Sequence, residues 1–263
     1  MCTVEKRGNV FILTLTGDSS SSDLQHRLNP TLIASLRSAL SSIRSSSFSS
    51  SASSPVSALV TVAEGNFFSN GFDLAWASQS PNPKSRLSHM VRLFKPLIAD
   101  LISLPMPTVA AVTGHAAAAG MVLAMAHDYV VMRKDRGVLY MSELDLGLPF
   151  PEYFTVMFRE KVGSVQGRRE MLLRARKVRA EEAVGYGVVD EAWEGRDRVV
   201  EAAVGMAEAL GEKGWNGGVY AEIRKSLYPG LCRELGLSSA AIDASAQDAL
   251  VVSTVDAMPI AKL

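Results

Sequence analysis

Short apolar blocks alternate along the chain with longer segments whose apolar residues recur at helical spacing. The opening, MCTVEKRGNVFILTLTG, begins with charges and then alternates like a strand, and residues 10–16 (VFILTLT) carry the β-branched pattern most clearly. Residues 30–43 show helical spacing behind Asn29, a good N-cap. Residues 41–57 (SSIRSSSFSSSASSPVS) are almost pure serine, bury little apolar surface and are expected to form a mobile loop without chemistry. Residues 58–63 (ALVTVA) read as a fully buried strand ending in the Glu64-Gly65-Asn66 turn.

Helical periodicity returns over residues 84–104 and stops at Pro105, and residues 107–113 (PTVAAVT) form a second buried strand ending at Gly114. Residues 115–128 (HAAAAGMVLAMAHD) read as a helix apolar on nearly every side, started in a glycine-alanine turn. Strands are expected at 129–132, 138–141 and 188–190, and helices at 151–173, 180–187 and 196–235. The alternation of strand and helix predicts an α/β fold with parallel pairing.

Composition narrows the function. Lys plus Arg and Asp plus Glu each total 27, so the 263-residue chain has no net charge to draw it to nucleic acid or an anionic membrane. The opening segment suits neither a signal peptide nor a membrane span. Cys2 and Cys232 are too few for a disulfide framework, which favours a reducing compartment, and His26, His89, His115 and His127 are not at metal-ligand spacing. No metal is expected, and neither a nucleotide-binding nor a nucleophile-elbow motif is present.

Two places share one design: Asn70-Gly71-Phe72 within FFSNGFDLAW, and Ala118-Ala119-Gly120. Each is a small-residue turn between a strand end and a helix, where backbone N–H groups lack partners and can hold an oxygen bearing negative charge. Tight helix-on-sheet packing explains any one such turn as well. Glycine at 71 and 120 would keep the approach to the amides open, where a side chain would block it. Asp73 is placed to cap the helix that follows.

FFSNGFDL, then PTVAAVTGHAAAAGMVLAMAHD, then YMSELDLGL, together resemble the crotonase (enoyl-CoA hydratase/isomerase) superfamily over roughly residues 3–235. The resemblance implies a crotonase-like spiral of repeated ββα units over residues 1–195, with a C-terminal helical trimerisation region and tail over 196–263. It implies backbone N–H donors at Phe72 and Ala119 for an acyl-CoA thioester oxygen. Ser69, Asn70, Gly71, Asp73, Leu74 and Gly120 would line the substrate, Arg27 would meet the CoA nucleotide, and Arg224 and Lys225 would reach a CoA phosphate. No cofactor is implied beyond the CoA of the substrate.

The family's reaction depends on its carboxylates. Similar hydratases hold water between a glutamate three residues after the second donor, here Val122, and another about twenty residues later, here Glu143. With one acid left, a double-bond shift is expected, with Glu143 as base and Glu152 as the alternative. SNGFDLAW, GHAAAAG and EIRKSLYP are most similar to plant peroxisomal Δ3,Δ2-enoyl-CoA isomerases. Other crotonase reactions (hydration, dienoyl-CoA isomerisation) and a non-catalytic acyl-CoA-binding role stay open at this point. The ending Ala261-Lys262-Leu263 nearly matches a peroxisomal address, implying that compartment and its import receptor as partner. The resemblance also implies a homotrimer or a hexamer.

Overall fold

The computed structural model describes residues 1–17, 24–48 and 58–237, and within them strand and helix alternate along the chain. Strands β1 (Cys2–Arg7) and β2 (Val10–Leu15) form a hairpin, followed by helix α1 (Pro30–Phe48). Three similar units follow. The first is β3 (Ala58–Ala63) and β4 (Phe67–Ser69) with α2 (Leu74–Ser78) and α3 (Pro83–Ile102). The second is β5 (Thr108–Val112) and β6 (His115–Ala117) with α4 (Ala119–Met125); the third is β7 (Tyr129–Arg133) and β8 (Leu139–Tyr140) with α5 (Glu152–Lys161). Then come α6 (Val165–Leu173), α7 (Ala180–Gly185), β9 (Glu191–Trp193), α8 (Arg196–Gly211), α9 (Gly217–Leu227) and α10 (Pro229–Leu235).

Each unit gives its first strand to one sheet and its second strand to another. The larger sheet runs β1-β2-β3-β5-β7-β9 and the smaller β4-β6-β8. Every pairing between the named strands after the β1–β2 hairpin is parallel. Parallel neighbours need a crossover, and the helices provide it, which is why β3 and β5 are buried along their whole length. This is the expected spiral of ββα units.

Several boundaries differ from the sequence reading. The helix begun by Asn29, whose Oδ1 accepts the Leu32 N–H at 2.9 Å, runs through the serine tract to Phe48. Leu32, Ile33, Leu36, Leu40 and Ile43 are buried on one side of it. The Ser45 and Ser46 hydroxyls bond the carbonyls of Ser41 and Ser42, so this stretch of serine satisfies itself in a helix rather than a loop. Residues 49–57 of the tract and the tail from 238, including Ala261-Lys262-Leu263, lie outside the described residues. Residues 115–117 are a strand rather than the start of a helix, because they pair with both β4 and β8. Residues 162–164 break the expected helix over 151–173 into α5 and α6. The strand expected at 188–190 lies at β9, three residues later, with Asp190 anchoring its start by accepting the Val130 N–H.

Helix α8 begins just past residue 195, the expected edge of the core. Its Val199, Ala203 and Ala207 pack on Val10, Val60, Val109 and Val131 of the large sheet. The helix is therefore a layer of the core, and beyond it Leu231, Cys232 and Leu235 of α10 are buried in the main hydrophobic cluster as well.

Arg224 of α9 is also not free to meet a phosphate. Its side chain is 3% exposed and bonds both oxygens of Asp128 at 2.5 and 2.6 Å, together with the carbonyls of Ile102, Leu104 and Met106. Lys225 pairs with Glu222. Burial pulls the Asp128 carboxyl upward, but the Arg224 charge and hydrogen bonds outweigh it and hold the group below its ordinary value. The stabilisation is therefore complete above about pH 5 and is lost as pH falls through the depressed folded value. Arg224→Ala leaves a buried carboxylate without its partner, so urea unfolding at neutral pH should show a loss of about 3–5 kcal/mol.

Candidate active site

Two turns meet where the small sheet ends. The first follows β4. Leu28 donates to the Gly71 carbonyl at 2.8 Å and accepts from the Asp73 N–H at 3.3 Å. This bridge engages the residues on either side of Phe72 and leaves the Phe72 N–H outside the pairing. Ser69, fully buried, donates its hydroxyl to the His26 carbonyl at 2.7 Å, and Asn70 binds Gln25 through both backbone and side chain. Asp73 caps α2 by accepting from the Trp76 N–H at 2.9 Å, and Leu74 donates to the Phe72 carbonyl. Ser69, Asn70, Asp73 and Leu74 thus shape the turn. Arg27 is half-buried beside it, and its side chain makes no hydrogen bond or ion pair among the described residues.

The second turn follows β6. Ala118 has φ 50° and ψ −126°, a conformation that is strained for a residue with a β-carbon. Its N–H donates to the Tyr140 carbonyl at 2.7 Å, and its carbonyl accepts from Met121 and Val122. Ala119, buried at the first position of α4, starts the helix without an acceptor for its own N–H. Among the described residues, the Phe72 and Ala119 N–H groups donate to nothing.

The glycines hold the two turns together. A β-carbon on Gly120 would lie 2.2 Å from the Ser69 carbonyl oxygen, so α4 rests directly on the backbone of β4. A β-carbon on Gly71, at φ +73°, would lie 3.0 Å from the Ala117 oxygen and 3.5 Å from the Ala119 nitrogen. The orphan amides therefore belong to backbones in van der Waals contact. This corrects the expectation that these glycines only clear a path for substrate: bulk at Gly120 strikes the fold itself.

Aromatic rings close over the first turn. Phe72 meets Phe94 edge-on at 5.4 Å and Phe154 at 6.4 Å, while Phe68 is fully buried beneath. Phe67 lies against the His115 ring. The Phe-rich stretch is thus a dry wall around a polar backbone.

The two carboxylates separate sharply. Glu143 is 8% exposed, and its Oε2 is buried with no hydrogen-bond partner among the described residues. Burial raises its carboxyl above the ordinary glutamate value, with the N–H groups of Glu143 and Ser142 only partly offsetting this. It is not the solvated loop carboxylate that glutamate usually is. Glu152 is exposed at the first position of α5, where the helix dipole favours it. Val122 is fully buried in α4, with no acid in its place.

Sequence reasoning missed two features. The strain at Ala118 has no sequence signal, since alanine rarely adopts positive φ. Tyr140 was not singled out either, although its carbonyl anchors the second turn.

Comparison with known proteins is consistent with this geometry. The family pattern described as enoyl-CoA hydratase/isomerase matches residues 25–232. The peroxisomal enoyl-CoA delta isomerase 2 of Arabidopsis thaliana is 53% identical over 243 residues, covering 91% of this chain and 97% of that protein. Enoyl-CoA delta isomerase 3 of the same plant is 52% identical, with coverage of 91% and 97%. The solved structure of a probable enoyl-CoA hydratase from Mycobacterium tuberculosis H37Rv superposes with TM-score 0.77 at 21% identity, covering 98% of this chain and 99% of that one, a likeness of fold.

Gly120→Ala is expected to lower stability by about 1–3 kcal/mol or more, because the clash is with backbone. Gly71→Ala adds strain of about 1–2 kcal/mol at its positive φ. Thermal unfolding checks both, and a Gly120→Ala protein with unchanged Tm would contradict the close approach.

Proposed function

The chain belongs to the enoyl-CoA hydratase/isomerase family, and we propose that within it the protein is a Δ3,Δ2-enoyl-CoA isomerase, shifting the double bond of a 3-enoyl-CoA to give the 2-trans-enoyl-CoA of fatty-acid β-oxidation. The carrying observation is one buried carboxylate, Glu143, whose Oε2 has no hydrogen-bond partner among the described residues, while the α4 position that holds an acid in similar hydratases is Val122. A lone acid moves a proton; it does not hold water between two carboxylates.

In the proposed reaction the thioester oxygen accepts hydrogen bonds from the Phe72 and Ala119 N–H groups. Glu143 takes a proton from C2, and the electron pair spreads over a dienolate whose charge rests on that oxygen. The same proton returns at C4 as the double bond moves between C2 and C3, so atoms and charge balance. Each donor contributes about 3 kcal/mol to lowering the barrier. The Phe72, Phe94 and Phe154 rings exclude water, which strengthens both hydrogen bonds and keeps the dienolate from solvent. The shift uses a carboxylate and two amides, and CoA enters as part of the substrate, with Arg27 proposed to meet its nucleotide and Gly71 and Gly120 holding the acyl path.

We also place the protein in the peroxisome, carried there by an import receptor reading Ala261-Lys262-Leu263. Support comes from that ending and from the peroxisomal name of the 53% identical relative. A homotrimer, or a hexamer of two trimers, is proposed around the C-terminal helices. Val219, Ile223 and Leu227 support it by forming an exposed apolar stripe at helical spacing on α9.

With 3-hexenoyl-CoA as substrate, Glu143→Gln should lower kcat by about 10²–10⁴-fold, while Glu152→Gln stays within about twofold. Loss on Glu152→Gln with activity kept on Glu143→Gln would reverse the assignment. Because the base must be ionised and burial raises its pKa, kcat/KM should fall on acidification at a pH above the ordinary glutamate value of about 4.3.

A further inference from the structure

Tyr140 stands where the two halves of the site meet. As the last residue of β8 it pairs with Ala117 of β6, and its carbonyl takes the Ala118 N–H at 2.7 Å. That hydrogen bond holds the strained residue immediately before the Ala119 donor. Its hydroxyl points another way and donates to Oδ2 of Asp145. Glu143 lies between these two partners in the chain.

The placement of Glu143 needs such a brace. Residues 144–147 are all exposed, with Leu144 at 53% and Leu146 at 51%, yet Glu143 itself is buried. A loop with so little burial of its own would let an acid swing into water, where a carboxylate is better solvated. Three backbone bonds coil the loop: Leu146 to Ser142, Gly147 to Leu144 and Leu148 to Glu143. The Tyr140–Asp145 bond is the side-chain contact that ties this coil to the small sheet. The Tyr140 ring is itself backed by the Lys177 ammonium, 5.1 Å from its centroid, on a segment joined to Leu139 by two backbone bonds with Val178.

We propose that Tyr140 is a positioning residue for the reaction: its carbonyl sets the turn that presents the Ala119 amide, and its hydroxyl, through Asp145, keeps the loop carrying Glu143 closed. The proposal rests on the isomerase reading above. One residue then holds base and oxyanion donor in register, and the hydroxyl part of that role is separable by mutation.

Tyr140→Phe keeps the backbone bond and removes only the hydroxyl. In the 3-hexenoyl-CoA assay it should lower kcat between about tenfold and about a hundredfold, with KM changed less than about twofold. The acid limb of the kcat profile should move to lower pH as water reaches Glu143, a change that a purely structural bond would not produce. Asp145→Ala should behave the same way, and the Tyr140→Phe/Asp145→Ala pair should be no worse than either alone. Asp145→Asn retains an acceptor oxygen and should restore both rate and profile. An active wild-type chain whose Tyr140→Phe variant keeps its kcat and pH profile overturns the positioning role alone, as do additive losses in the double variant. A wild-type chain inactive on every 3-enoyl-CoA overturns the isomerase reading and the positioning role together.

Discussion

Helix α4 approaches strand β4 so closely that Gly120 has no room for a β-carbon against the Ser69 carbonyl. This contact brings the end of the first turn against the start of the second, and the orphan amides of Phe72 and Ala119 come with it. In the proposed reaction each amide contributes part of the stabilisation of the developing charge. Their pairing is a product of two neighbouring turns of the spiral, each delivering a strand to the small sheet and then a helix. The strain at Ala118 is maintained by the same packing, since its N–H and carbonyl are both engaged while the next N–H is left free.

Around these turns the molecule packs apolar side chains. Phe72, Phe94 and Phe154 pack ring against ring, and fully buried Val122 stands where an acid is carried in similar hydratases. Burial also makes ionised Glu143 costly and raises its proton affinity, as the base of the proposed reaction requires. The buried charges elsewhere are handled differently: Asp128 and Arg224 neutralise each other and stay structural, whereas Glu143 is left without a partner on one oxygen.

Much of this was legible in the chain. Continuous apolar blocks identified β3 and β5, and Asn29 announced α1 because its side chain has one favourable use there. The turns at Gly71 and Gly120 were visible as small-residue breaks, and the resemblance to a known family pointed to their amides. What sequence missed was set by long-range contact. The three residues of β6 look helical until β4 and β8 pair with them, and the first serines of the tract look unstructured until Leu36, Leu40 and Ile43 of the same helix are buried in the core. Arg224 looks like a phosphate ligand until its burial against Asp128 is seen. The role of Gly120 was misread for the same reason, since the atom that excludes a side chain belongs to a residue about fifty positions earlier.

The account stands on two main-chain amides polarising one thioester oxygen. Difference infrared spectroscopy of a bound, carbonyl-labelled, non-reacting acyl-CoA reads that polarisation directly. The carbonyl stretch should move to lower frequency on binding, and should do so equally in the Glu143→Gln protein, which keeps both donors. A carbonyl band unchanged from that of the free thioester in water would contradict the assignment of Phe72 and Ala119.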